Sequence, residues 1–546
     1  MKRDCQDRES LFANIQYKLR NLRSLINHAQ EAESDTQVIV NSLRDTYKFP
    51  ESYLLDNDID ANLKHIREIV NPSDDIYVRE FTITALGLRA AIVFVEDMID
   101  GESISQNILS QLQSPMLSEN CIETSQLMKC LRSSLTAATV NVSTDMAEII
   151  KRLLSGETVL FVDTNAAAVI ISTRKLENKA ISEPAGETSI RGSRVAFTES
   201  LGVNITLLRR HLVNPNFIVK KMAIGVRCEV NVALVYFRGI ANPNLVYQAE
   251  QRLKRLKVDV IGSAGLVENL INDHPFSPFP TIYATERPDK ILAGMLEGRI
   301  AIMIDGTPFA LLAPATFGDF MQAGDDYYDN WMVGSLLRLT RYLAAFFAIV
   351  TPALYVATTT FHPGLIPTPL TLTIAAARQG IPFPALVEAL VMEIILEILQ
   401  EAGVRMPKTI GPAVSIVGGL VLGDAAVRAG LISAPIVVVI SFTAIVSFAV
   451  GNYRISLPLR FFRVPLMMAA SVLGIFGVVM GLVAIIVHLS MLESFGEPYL
   501  APFTPKNSFR LSDLKDSIVV APPVAMKTRP GYLEPGDSEK LGDKNG

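Results

Sequence analysis

The feature that most restricts how this chain can fold is a change of character at Leu337: charged residues crowd the sequence before it and thin out after Tyr342. The segment "RYLAAFFAIVTPALYVATTTF" (341–361) is long enough to cross a hydrocarbon layer, for which roughly 20 residues suffice. Pro352 can kink it. Segments 409–432, 434–450 and 464–489 are further expected spans, the last the clearest. Gly, Ala and Ser recur in them, as where helices pack closely. One apolar stretch, 384–402, is different: it carries Glu388, Glu393 and Glu397, and Glu401 follows on the same helical pattern.

On a helix, four residues advance by about 400°, a net offset of roughly 40°. Glu393, Glu397 and Glu401 therefore form one stripe, Glu388 sits off it, and Leu386, Leu390, Ile395 and Leu399 lie opposite. An ionisable group at mid-membrane costs roughly 2.5–3.5 kcal/mol on insertion scales, so the carboxylates cannot all face lipid. Cations available to them are Arg378, Arg405, Lys408 and Arg428. Asp424 and Arg428, four apart and opposite in sign, can neutralise each other. Three readings stay open: an interfacial helix with its acids among headgroups, a structural ion-pair network between spans, or a carboxylate-lined cation path. The intramembrane charge candidates are Glu388, Glu393, Glu397, Glu401, Arg405, Asp424 and Arg428.

Sidedness is half determined. Arg residues in 337–341 and 454–463 place both stretches inside, which requires an even number of crossings between them. On that count the C-terminal tail emerges outside; if the carboxylate helix lies at the interface instead, the tail ends inside.

The formal net charge of -5 leaves no basic footprint for nucleic acid. Four cysteines without a CxxC pair and six histidines without an HxxxH pair signal neither zinc nor a disulfide framework. There is no phosphate-binding GxxxxGK[ST] loop, no GxGxxG after a strand and no GxSxG elbow. The chain is therefore expected to be no enzyme and to hold no cofactor or metal. Its first twenty residues have no apolar core of the secretory kind, so the soluble part is expected to stay cytoplasmic.

The fold class expected is multidomain: an N-terminal α/β region of two subdomains, then an α-helical polytopic membrane domain. A polar helical extension covers 1–73, subdomain 1 covers 74–180 and subdomain 2 covers 181–336. The transmembrane domain covers 337–490, and 491–546 is a polar tail expected to be mobile. Strands are read at 75–83, 88–97 and 229–240, with helices at 104–112, 201–212 and 243–256.

Several stretches together carry a resemblance. They are "IPFPALVEALVMEIILEILQEAGVRMPKTIGPAVSIVGGLVLGDAAVRAGLIS", "EPAGETSIRGSRVAFTESLGVNITLLRRH", "FPTIYATERPD", "EGRIAIMIDGTPFALLAP", "DDYY" and "SFGEPYLAPFTP". In this order they resemble the spore germination receptor A subunits, the GerA family, over roughly Asp74 to Lys515. The chain departs from the family pattern at Ser193, at Val195-Ala196, at His211 and at Asp424, the last adding a charge to the membrane region. The resemblance implies a membrane subunit of a nutrient-sensing germination receptor, multi-pass in the spore inner membrane. It implies a permease-like B subunit and a lipoprotein C subunit as partners, a homo-oligomer, and a nutrient-gated cation channel that starts germination. Two alternatives remain: a non-conducting adaptor that scaffolds the permease-like subunit, and a stand-alone secondary transporter.

Overall fold

Runs of apolar residues with both faces of the pleat covered build two sheets. A computed structural model describes residues 53–70, 72–84, 86–113, 139–174, 183–184, 186–187, 189, 191–405, 423–504, 506 and 511–540. Most of the expected extension 1–73 and residues 409–422 of the expected span 409–432 lie outside the described residues.

Subdomain 1 comprises α1 (Ile59–Val70), β1 (Ile76–Ile83), β2 (Leu88–Val95), the helical segment α2 (101–112), β3 (Val140–Ser143), α3 (Met146–Leu154), β4 (Thr158–Val162) and β5 (Ala168–Ile171). The sheet order is β1-β2-β4-β5-β3 and every pairing is antiparallel. Ala91, Val93, Phe161 and Ile170 face α1 and α3, while Ile92, Leu160, Val162 and Val169 face α2. Helices thus cover both faces of an antiparallel sheet.

Subdomain 2 repeats this plan. It comprises α4 (Leu201–His211), β6 (Phe217–Ile224), β7 (Val230–Phe237), α5 (Pro243–Lys254), α6 (Ala264–Ile271), β8 (Tyr283–Thr285), α7 (Pro288–Glu297), β9 (Ile300–Ile304) and β10 (Ala310–Ala313), in the order β6-β7-β9-β10-β8. Equivalent positions lie 142 residues apart, as Asn62 does from Asn204 and Asp163 from Asp305. The side chain of Asn62 closes a loop on the backbone of Asp56, and Asn204 does the same on Thr198. Asp163 accepts from the N–H of Ile59, and Asp305 from that of Leu201. Even the left-handed turns correspond: Thr164 with Gly306, Asp97 with Gly239, and Gly156 with Gly298. Few side chains are shared between the halves, so the duplication lies in turn chemistry rather than in an evident sequence repeat.

A buried ion pair joins the halves. Arg209 donates to both Asp75 oxygens at 2.6 and 2.8 Å and to the Ser73 hydroxyl at 2.9 Å. Burial alone would raise the Asp75 pKa, but the guanidinium and the hydroxyl outweigh it and hold the carboxyl below its ordinary range.

Beyond α8 (Phe317–Met321) and α9 (Asp325–Tyr328) the chain becomes helical: α10 (Trp331–Thr360), α11 (Thr368–Arg378), α12 (Ala385–Arg405), α13 (Gly423–Arg428), α14 (Ala434–Ala449), α15 (Tyr453–Leu473) and α16 (Ile475–Met491). Two of these, α10 and α15, are long and apolar enough to cross a membrane by length and composition, and α14 and α16 are apolar but shorter. The first helix begins ten residues before the expected 341, because the Asn330 side chain caps it by accepting from the N–H of Met332.

The segment 464–489, expected as one span, is instead the inner part of a helical hairpin. It reverses at Gly474, whose φ of 62° only glycine adopts freely. Gly477 lies against the backbone of Ala469 and Gly481 against Leu466, which brings α15 and α16 into close antiparallel contact. Gly474 abuts Phe361 and His362 just past the end of α10, so the reversal sits at the far end of the bundle. The near end rests on subdomain 2 through the Arg454–Glu268 ion pair and through Ser277 and His488, 3.0 Å apart. One apolar core runs from the α4–α7 face of the second sheet through Phe279, Phe320 and Tyr499 into the bundle.

The tail is packed rather than loose over 511–540. Asp516 pairs with the fully buried Arg338 at 2.9 Å, Arg529 donates to the Leu296 carbonyl at 2.7 Å, and Leu533 is buried. It therefore ends on the same side of the bundle as subdomain 2.

Candidate functional site: charged pairs within the helical bundle

Helix α12 brings its four carboxylates into three different environments. At the far end Glu388 is buried, receiving Arg378 Nε at 3.1 Å and the backbone N–H of Ser433 at 2.9 Å. One turn on, buried Glu393 is ion-paired with Arg463 of α15. That guanidinium also donates to the Ala348 carbonyl of α10 at 2.8 Å and to the Ser447 hydroxyl of α14 at 2.9 Å. Glu397 meets Arg460 at 3.4 Å, and Glu401 pairs with Arg405 of its own helix at 2.6 Å. The Glu397 and Glu401 side chains remain 48% and 52% exposed. Asp424 and Arg428 meet at 2.9 Å, both largely exposed.

The stripe seen on a helical wheel is therefore split by packing. The buried edge of α12 runs through Ala385, Glu388, Ala389, Met392 and Glu393. Its outward face carries Val391, Ile394, Ile398 and Glu401, with Glu397 beside them. Two partners were missed in the sequence, the buried Arg463 and the partly buried Arg460, because 454–463 read as a flank before a span. The available signal was their spacing: three apart, they fall on one side of a helix that continues into the apolar run.

A cavity of about 630 Å³ lies beside this network and is lined by Gln400, Ser441, Ser447 and Arg460 among apolar neighbours. The Gln400 amide, Arg460 Nε and Glu393 Oε2 have no hydrogen-bond partner among the described residues. A second polar cluster lies at the junction with subdomain 2. There the Tyr283 hydroxyl donates to Glu187 at 3.0 Å and accepts from Lys290 at 3.0 Å and from the Asn452 amide at 3.3 Å. Burial lowers the Lys290 pKa. Among the described residues no cluster of His, Cys, Asp and Glu could hold a metal ion. The arrangement can fix helices to one another and present carboxylates at a surface; it assembles no nucleophile with a base.

The family profile described as "Bacillus/Clostridium GerA spore germination protein" matches residues 64–532. The chain is 40% identical to the "Uncharacterized membrane protein YfkQ" of Bacillus subtilis (strain 168), over 88% of this chain and 92% of that protein. It is 38% identical to "Spore germination protein KA" of the same organism, over 90% and 89% of the two chains. With "Spore germination protein GerLA" of Bacillus cereus it shares 37% identity over 87% and 96%. A crystal structure of the N-terminal domain of the A subunit of the Bacillus megaterium spore germinant receptor GerK3 aligns at 33% identity, covering 49% of this chain and 99% of that one, with a TM-score of 0.40. With the profile matched from the first helix of subdomain 1 to the packed tail, the chain belongs to the GerA family of spore germination proteins.

Proposed function

We propose that this chain is the A-type subunit of a nutrient-responsive spore germination receptor, held in the spore inner membrane with its two sheet subdomains and its tail on the cytoplasmic side. Its partners are a permease-like B subunit and a lipoprotein C subunit. Copies of the chain assemble so that the outward faces of α12 line a cation path. The bilayer surrounds the bundle, where Leu343, Phe346, Val438, Ile445, Val472 and Val479 are exposed and a watery surface would be out of place. With the tail packed on subdomain 2, the crossings are even in number.

The observation that carries the channel reading is the outward face of α12. Half-exposed Glu397 and Glu401 stand there among exposed Val391, Ile394 and Ile398. Carboxylates on a lipid-facing helix are costly; turned toward other copies around water they are not, and they select cations. A second reading, the non-conducting adaptor, draws on Glu388 and Glu393, whose buried pairs within the chain serve packing alone. Cation flux through vesicles holding the reconstituted receptor separates the two. The Glu397→Gln and Glu401→Gln variants should assemble normally and pass fewer cations when nutrient is added. Unchanged flux in both variants, or no flux in the parent, supports the adaptor.

A further inference from the structure

The loop between α6 and β8 holds Phe276 100% exposed, the most exposed large apolar side chain among the described residues. From His274 to Thr285 the chain carries no Asp, Glu, Lys or Arg, although Asp273 and Glu286 flank it. Prolines 275, 278 and 280 stiffen the loop. It is not a free excursion. Ser277 bonds to His488 in the last turn of α16 at 3.0 Å, and Phe279 stacks on Phe462 of α15 with centroids 5.4 Å apart.

These contacts set the height of the loop along the bundle. Phe462 stands nine residues into α15, about 13 Å above its start. Below it lie Arg454 and Arg460, and from Val464 to Leu473 the helix has no charge. The turns that hold the loop expose Phe461, Ile486, Val487 and Met491; the polar Ser490 among them turns its hydroxyl back onto the Ile486 carbonyl at 2.8 Å. Phe276 thus projects where the charged base of the bundle gives way to its apolar belt. That is the level at which aromatic side chains anchor proteins between headgroups and acyl chains.

We propose that the 274–280 loop is a membrane foot: Phe276 enters the headgroup–acyl boundary of the cytoplasmic leaflet and fixes the height and tilt of subdomain 2 above the bilayer. The occupant is lipid because the loop is continuous with the apolar belt and has no charge to pair with a protein surface. The inference rests on the bilayer reading of the bundle.

The test uses the full chain reconstituted in phosphatidylcholine–phosphatidylglycerol vesicles. The chain has one tryptophan, so Trp331→Phe gives a silent background for Phe276→Trp. Val479→Trp in the belt and Val226→Trp on the β6–β7 turn serve as controls. Lipids brominated on the upper acyl chain should remove about half of the emission of the Phe276→Trp variant, and aqueous iodide should quench it far less than the Val226→Trp control. If it is quenched by iodide like that control while the belt tryptophan responds to bromine, the foot is refuted and the bilayer reading stands. If neither 276 nor 479 responds to bromine, the bilayer reading falls and takes the foot with it. Shielding from both quenchers, relieved on diluting the protein in lipid, means that a second copy covers Phe276 and overturns the proposal.

Discussion

Arg463 ties four helices with one side chain, since its contacts reach α10, α12 and α14 from α15. Losing one member of a buried pair strands the other at roughly 3–5 kcal/mol, whereas replacing both by apolar groups is often neutral. Arg463→Met should therefore lower the thermal midpoint and the membrane level of the protein, and Arg463→Met with Glu393→Leu should restore most of both. Glu401→Gln, at an exposed pair, should change stability by less than about 1 kcal/mol. Equal losses in the single and double variants would mean that the pair does not hold the bundle. Outside the bundle, Glu497 in the turn that follows α16 titrates unusually: burial pushes its carboxyl up to about 7. A carboxyl raised on folding binds its proton more tightly in the native state, so stability falls as pH rises from its ordinary value to about 7 and is level above. Glu497→Gln should raise stability by about 1 kcal/mol at pH 8, solvent screening included, and leave it unchanged at pH 4. Denaturant midpoints at the two pH values measure this.

At the scale of elements, the strands and helices with strong local period were legible: β1, β2, β7, α4 and α5 lie where alternation and turn residues put them. Strand β6 was not, because "FIVKKMAI" places two lysines in an edge strand whose apolar face is recognised only against α4 and α7. The α15–α16 hairpin was also hidden. Val464 to Val487 is uninterrupted by charge, so hydropathy cannot mark a reversal within it. A Cβ at Gly474 would lie 2.7 Å from the His362 ring, and its φ is left-handed. Gly474→Ala should therefore destabilise the bundle by about 1–2 kcal/mol for the backbone alone, read as a lower melting temperature in detergent. In a cysteine-free background, single cysteines at Tyr453 and Met491 should label from the same side of the vesicle. Labelling from opposite sides would restore the single span.

For the whole molecule, the tail is the unexpected part. Asp516, Asp326 and Arg338 form a buried node that joins the tail to α9 and α10, and the Tyr532 hydroxyl lies 3.3 Å from Arg299. Composition read 491–546 as a solvated tail because the partners that anchor it, such as Arg338 for Asp516 and Leu296 for Arg529, lie some two hundred positions earlier. Trypsin should cut slowly after Lys527, whose carbonyl accepts from the N–H of Lys540 at 2.7 Å and whose neighbour Thr528 bridges to Glu539, because this bond is held in the packed tail. Removing a charge-assisted hydrogen bond costs about 1.5–3 kcal/mol, so Asp516→Ala should speed that cut about tenfold or more, cleavage following the open population. An unchanged rate would show that the node does not hold the tail. The duplicated sheet plan belongs to this scale too: a 142-residue offset that turn asparagines and aspartates keep while most core side chains drift.

By itself the amino-acid order determined what depends on neighbours along the chain. That covers the division into a charged half and an apolar half, the periods of most strands and helices, the close spacing of Asp424 with Arg428 and of Glu401 with Arg405, and the motifs that mark the family. Tertiary structure decided which carboxylates are neutralised and which stay open, where the last apolar run turns back, and on which side the tail rests. The reason is the distance along the chain between the groups concerned. Glu388 meets the N–H of Ser433, Glu393 meets Arg463 and Arg338 meets Asp516 only after the helices have packed. No local rule of period or propensity carries information about a partner that far away; it resides in the fit of one helix surface against another.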